Sequence, residues 1–239
     1  MDIGRIRGMA KGKFIVIEGT DGSGKATQTK MLADRLTAEG YPVEMFDFPQ
    51  YFKSSSDFVK AYLQGRYGSI KEVSAQKASL LYALDRFEAA PDIRAALNAG
   101  KIVLANRYVA SNMGHQGAKI KLADDRMRFF LWVQDLEFKI LEIPKPDLNI
   151  VLHVPAKIAQ QLVDQKTGAE RVYTKGKSRD LHEDNLQHLK RAEQVYLELA
   201  RLFPRQFTLL ECSDGKRLKP IDQVAEQIWT LVKKKVGLK

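Results

Sequence analysis

Short apolar runs alternate along this chain with longer stretches in which apolar residues recur at helical spacing. Phe14-Ile15-Val16-Ile17 is a β-branched run bounded by glycines, the pattern of a strand buried on both faces of a parallel sheet. Val43-Glu44-Met45-Phe46, Ile102-Val103-Leu104-Ala105, Leu148 to Val154 and Phe207 to Leu210 read as four further strands. Helical patterning covers about 25–39, 74–98, 123–142, 156–164, 181–203 and 221–235, the first closed by Gly40 as a C-terminal stop. Strands alternating with helices predict a doubly wound α/β fold, with a five-stranded parallel sheet flanked by helices. With no repeat or low-complexity linker, residues 13–239 read as a single domain behind a basic extension at 1–12. The helix expected over 123–142 carries Phe129, Phe130, Leu131, Trp132 and Val133 in succession. It therefore needs burial on more than one side, as a core helix or at a two-fold interface.

At 239 residues and 44% hydrophobic, the chain is long enough for a sizeable core. Its net charge of +10 sits largely at the ends: residues 1–13 and 233–239 leave only a small surplus for the body. Basic tails argue only weakly for a nucleic-acid partner, which needs its cations clustered on the folded surface. No apolar run approaches the roughly 18 residues of a membrane span, and the basic start lacks a signal-peptide core. Cys212 is the only cysteine, which excludes an intramolecular disulfide and zinc sites built on several thiolates. The expectation is a soluble cytoplasmic protein with a buried structural thiol.

Gly19-Thr20-Asp21-Gly22-Ser23-Gly24-Lys25 fits G-x-x-x-x-G-K, placed after a buried strand and before a helix. In that context the glycines let backbone N–H groups converge on phosphate oxygens, the helix N-terminus adds positive potential, and Lys25 reaches the β/γ oxygens. Residues Gly19 to Thr27 are thus expected to bind a nucleoside triphosphate. Where Ser or Thr would contact magnesium the chain has Ala26, followed by Thr27. Either Mg2+ is held mainly by water, nucleotide oxygens and carboxylates, or Thr27 stands in.

A GTPase would show N-K-x-D, which is absent, and an ATPase motor would end a strand in an acid, whereas the third strand ends Ala105-Asn106. Instead, Phe48-Pro49-Gln50-Tyr51, Tyr82-Ala83-Leu84-Asp85-Arg86 and Asn106-Arg107-Tyr108 lie where strand-end loops meet beside the phosphate loop. Tyr82 and Arg86, spaced i, i+4, share a helix face. The aromatic suits stacking on a base, and Arg86 and Arg107 suit a bidentate grip on phosphate. Each also has a structural alternative, Tyr82 as a core aromatic and Arg86 as the partner of a neighbouring carboxylate.

From Lys13 to about Lys235 the chain resembles the thymidylate (dTMP) kinase family. The likeness rests on Ile17-Glu18-Gly19 with Asp21 in the loop, Phe48-Pro49, Ala83-Leu84-Asp85-Arg86, Arg107-Tyr108-Val109-Ala110-Ser111-Asn112, Pro144-Lys145-Pro146-Asp147 and Val195-Tyr196-Leu197-Glu198-Leu199. The resemblance implies a P-loop kinase fold with a short basic lid at about 165–180, ATP- and magnesium-dependent phosphorylation of dTMP to dTDP, and a homodimer. It implies Asp21 near the acceptor sugar's 3′-hydroxyl and as a metal ligand, Phe48 and Tyr82 flanking thymine, and Tyr51 beside them. Arg86 would reach the base carbonyl or the phosphate, Arg107 the phosphates, and Asn112 and Gln116 the polar edge of the base, with His115 as pocket wall.

The lid stretch holds Arg171, Lys175, Lys177 and Arg179 with no acid between them. Some family members carry an arginine in the loop where this chain has Gly22, so the resemblance moves that cation to the lid, as Arg171 or Arg179. Together with Lys25, Asp21 and Arg107 it would stabilise charge on the transferred phosphoryl group. The acceptor's own phosphate oxygen attacks, so no covalent intermediate is expected. Asn106, Gln50 and Ala26 depart from the family pattern. They leave open a kinase for another nucleoside monophosphate such as dUMP, or a nucleotide-binding module with a decayed magnesium site.

Overall fold

The structure, a computed structural model, describes residues 11–164, 186–215 and 217–237. Five strands form one sheet: β1 (Lys13–Gly19), β2 (Val43–Asp47), β3 (Ile102–Asn106), β4 (Leu148–His153) and β5 (Phe207–Glu211). Their order is β2-β3-β1-β4-β5, and every pairing is parallel. Helices α1 (Lys25–Ala38), α2 (Asp57–Leu63), α3 (Ala75–Asn98), α4 (Val109–Ser111), α5 (Ala123–Asp135), α6 (Ala156–Asp164), α7 (Leu186–Leu202) and α8 (Ile221–Val232) connect and cover them.

Alternation along β1 explains the two layers. Phe14 and Val16 pack on one face with Ile93, Val103, Tyr108 and Phe130. Ile15 and Ile17 pack on the other with Leu32, Leu36, Leu104, Ile150 and Ile228. With β3 and β4 on opposite sides of β1, the chain reverses its direction of winding there, which opens a crevice at the carboxyl ends of these strands.

Several boundaries differ from the sequence reading. The helix expected over 123–142 is α-helical only to Asp135 and continues as a π-helical turn over Leu136–Ile140. Its burial is one-sided: Phe129, Phe130 and Val133 are buried, whereas Leu131 is exposed. The last helix likewise passes into a π-helical turn at Lys233–Gly237. Two helical segments escaped the reading. Asp57–Leu63 follows a serine run that looks like loop, but Val59, Tyr62 and Leu63 provide a buried face at i, i+3 and i+4. α4 runs into a π-helical turn at Asn112–Gln116, where a Cβ on Gly114 would come within 2.5 Å of the Tyr196 ring. Glycine there lets α7 close over the turn. α3 begins as expected beside Ser74, whose side chain caps Lys77 N at 3.2 Å, and it accommodates Pro91 internally.

Candidate active site

A cavity of about 680 Å³ opens where β1, β2 and β3 end. β1 passes directly into the glycine-rich loop, whose Gly19, Gly22 and Gly24 take φ of 141°, 79° and 82°. A Cβ on Gly22 would lie 2.1 Å from the Ala159 carbonyl oxygen, so the loop's close approach to α6 admits only glycine. Thr20, Ser23 and Lys25 are buried. Lys25 Nζ donates to Thr20 O at 2.7 Å and lies 3.5 Å from Ser23 Oγ, across the loop it would share with phosphates. Ala26 and Thr27 are exposed along the same cavity.

Opposite the loop, Arg107 forms an ion pair with Asp21 and is half-buried. Its Nη1 faces Ser111 Oγ at 3.4 Å and His115 Nε2 at 3.2 Å. The Arg107 backbone is held at φ 68°, a conformation costly for a residue with a Cβ, and its N–H donates to Ile17 O at 3.0 Å. Glu18 explains how that turn is kept. Wholly buried at the end of β1, it accepts from Tyr108 N at 2.7 Å, Ser111 N at 3.2 Å and Ser111 Oγ at 2.7 Å. Burial pushes its carboxyl above the usual range, against the hydrogen bonds and cations that favour the ion. His115 is also buried beside Arg107, and loss of solvent with the neighbouring cation pushes its imidazole down to about 3, so it is neutral.

The other end of the cavity gathers Phe48, Tyr51, Tyr82, Arg86, Asn112 and Gln116. Phe48 is buried against Phe46 and Tyr108, with ring centroids 6.4 and 5.6 Å away, and Tyr82 meets Tyr62 edge-on at 6.3 Å. Arg86 is buried in a bidentate pair with Glu137, Nε to Oε2 at 2.5 Å and Nη2 to Oε1 at 2.7 Å. The carboxylate pairing considered for it is therefore present, and the residue also lines the cavity. Gln50 is tied to Asp85 instead of facing the cavity.

Asp21, Asp47 and Asn106 supply hard oxygens suited to Mg2+, which binds through few protein ligands once phosphates and water fill the remainder. Asn106 Nδ2 donates to Asp47 Oδ1 at 2.7 Å, while its Oδ1 is buried without a hydrogen-bond partner among the described residues. No group of three or more metal-ligating side chains of the His, Cys, Asp or Glu type occurs among the described residues. Arg171, Lys175, Lys177 and Arg179, with the whole lid at 165–180, lie outside the described residues.

Sequence reading missed Glu18's anchoring role, Glu137 as the partner of Arg86, Asp47 at the cavity edge, and the far wall of the cavity formed by Leu162, Cys212, Leu218, Lys219, Ile221 and Val224. Glu18 stood inside a quoted motif and could have been found as an acid within an apolar strand. The far wall carries no motif. Cys212 is buried as expected, and burial pushes its thiol up to about 11. No helix among the described residues is long and apolar enough to cross a membrane.

A family model described as thymidylate kinase matches residues 17–228. The thymidylate kinase of Mycobacterium tuberculosis is 33% identical over 188 residues, covering 78% of this chain and 85% of that protein. That of Pelotomaculum thermopropionicum is 31% identical over 223 residues, covering 91% and 94%. The fold matches the solved thymidylate kinase of Candida albicans with a TM-score of 0.69 at 23% identity, over 94% of this chain and 92% of the other. Matched along nearly all its length by the family model and by relatives above 30% identity, the chain belongs to the thymidylate kinase family.

Proposed function

We propose that the protein phosphorylates dTMP to dTDP with ATP and Mg2+, by direct in-line transfer. The observation that carries this reading is the Asp21–Arg107 pair, which joins the phosphate loop to the aromatic-lined end of one cavity. Residues Gly19 to Thr27 hold the ATP phosphates, with Lys25 turning from the loop carbonyl to the β/γ oxygens. Arg107 shares its guanidinium between Asp21 and the acceptor phosphate, bringing nucleophile and γ-phosphorus into line. Phe48, Tyr51 and Tyr82 enclose the base, and Arg86, Asn112 and Gln116 read its edge. Asp21, with the nucleotide oxygens, would hold Mg2+, which would supply positive charge to the phosphates. Arg171 or Arg179 from the lid supplies the remaining cation, and lid closure excludes water from the transfer.

The same reading takes residues 13–239 as one kinase domain acting in the cytoplasm. It also takes the chain as a homodimer. Leu80, Leu84 and Phe87 on α3 and Leu131 on α5 are all exposed, and the α3 trio is spaced as one helix stripe.

ADP formation with Mg-ATP against dTMP, dUMP, dCMP, dGMP and no acceptor tests the activity, with the product confirmed by chromatography. A strong preference for dTMP is expected. Preference for another acceptor would keep the kinase and move its specificity, while ATP binding without product would leave only a nucleotide-binding module.

A further inference from the structure

Two side chains at the acceptor end are tied to one carboxylate. Glu137, wholly buried on the π-helical turn after α5, takes both Arg86 hydrogen bonds described above, and its Oε1 also accepts from Asn112 Nδ2 at 3.0 Å. Asn112 Nδ2 donates in addition to Ser79 O at 3.1 Å. A carboxylate and a peptide carbonyl offer only lone pairs to these distances, so the NH2 end of the Asn112 amide must face them. Both of its hydrogens are then committed, and the amide oxygen is the part left to the cavity that Asn112 lines. Gln116, one turn further on, has a buried Oε1 with no hydrogen-bond partner among the described residues. The Arg86 guanidinium, with Nε and one Nη2 hydrogen taken, keeps its Nη1 hydrogens for a ligand.

We infer that Glu137 sets the base specificity of the acceptor site: by fixing the Asn112 amide and the rotation of Arg86, it places a hydrogen-bond donor beside an acceptor, which suits a 4-keto pyrimidine and refuses a 4-amino one. The inference rests on the proposed reading of this cavity as the acceptor site. A 4-keto pyrimidine offers a carbonyl oxygen at position 4 for the guanidinium and an N3–H for an amide oxygen. A 4-amino pyrimidine reverses both, with N–H groups facing the guanidinium and the N3 lone pair facing the amide oxygen. In a dry pocket such mismatches leave buried groups unpaired, and that makes discrimination steep. Glu137 is a positioning residue, since it acts through Arg86 and Asn112 and does not touch the base.

The test compares kcat/KM for dTMP and dCMP in wild type and Glu137→Gln. The new amide NH2 can donate to the Asn112 oxygen, which removes the reason for the wild-type orientation. The dTMP/dCMP ratio is expected to fall about tenfold or more, with dCMP efficiency rising in absolute terms. A pocket that had only loosened would lose both substrates together, so an unchanged ratio in folded Glu137→Gln overturns the inference. Because halving a buried ion pair weakens the fold, a second measurement uses wild type alone. The Asn112 side-chain NH2 resonances, assigned by their loss in Asn112→Asp, are expected to exchange slowly with solvent in the ligand-free enzyme; fast exchange overturns the proposed orientation. A wild type that phosphorylates neither nucleotide sinks the functional reading itself, whereas a dTMP-selective wild type with an unmoved ratio sinks only the role of Glu137.

Discussion

Asp85 holds Gln50 from two directions: its Oδ2 accepts from the Gln50 backbone N–H at 2.8 Å, and its own carbonyl accepts from Gln50 Nε2 at 3.0 Å. Ser55 Oγ adds a bond to Oδ1 at 2.5 Å. The loop after β2, which delivers Phe48 and Tyr51 to the cavity, is therefore latched to α3. Asp85→Ala is expected to raise KM for the acceptor about tenfold, in line with the loss of hydrogen bonds to a buried charge. KM for ATP should stay within twofold of wild type, and steady-state kinetics with each substrate varied separately would check the split.

His115 and His188 stack with centroids 6.0 Å apart, and burial pushes them down to about 3 and about 4. Lowered values mean that the unfolded chain takes up protons first as the solution is acidified. Their contribution to stability is complete above about 6.5 and is lost as pH falls toward the folded values. At roughly 1.4 kcal/mol per pH unit for each group, the two together should cost on the order of 3–4 kcal/mol between pH 6.5 and 5. His153, raised by its hydrogen bonds to Glu193 and Glu211 against partial burial, offsets part of this. Urea unfolding of wild type and His188→Gln across that range should show about half the slope in the variant.

Gly22 combines a positive φ with a Cβ position already filled by the Ala159 carbonyl. Gly22→Ala is expected to destabilise the fold by about 2–4 kcal/mol and to weaken ATP binding at least tenfold. Thermal unfolding and calorimetric titration with ATP would measure both. Gly22→Arg, which would install a cation in the loop, should fail to raise turnover for the same steric reason.

Arg107→Lys keeps a charge but cannot serve Asp21, Ser111, His115 and a phosphate with one planar group. Its kcat/KM for dTMP should drop about 10²–10³-fold, as expected for a lost bidentate transition-state contact. Equilibrium binding of ATP measured without acceptor should change little.

Leu84→Glu, placing a charge within the exposed stripe of α3, should convert a dimer into monomers without lowering the melting temperature of the monomer fold. Sedimentation velocity at several concentrations would check it; a wild type that sediments as a monomer throughout refutes the proposed assembly.

The sheet was legible because its strands are buried on both faces and so read as unbroken apolar runs, of which Phe14 to Ile17 is the clearest. The phosphate loop was legible because phosphate binding demands glycines at fixed spacing, as at Gly19 and Gly24. What escaped reading was whatever depends on contacts distant in sequence. Arg86 and Glu137 are 51 positions apart, and nothing local marks Glu137 as the acid that meets a guanidinium. The π-helical turns at 112–116 and 136–140 were missed for a related reason. One inserted residue moves the apolar register by a full position, about 100°, and Asn112 and Glu137 turn inward to partners distant in sequence.

The two ends of the cavity come from separate stretches of chain, residues 21–28 with 162 and 212–224 on the side proposed for the donor and residues 47–116 on the side proposed for the acceptor. Inheritance can therefore treat them differently. Mutations that retune the acceptor can accumulate in one stretch while the other keeps its allegiance to ATP, and a new substrate need not be learned together with a new phosphate source. The bond between Asp21 and Arg107 is the seam at which those separate histories have to agree.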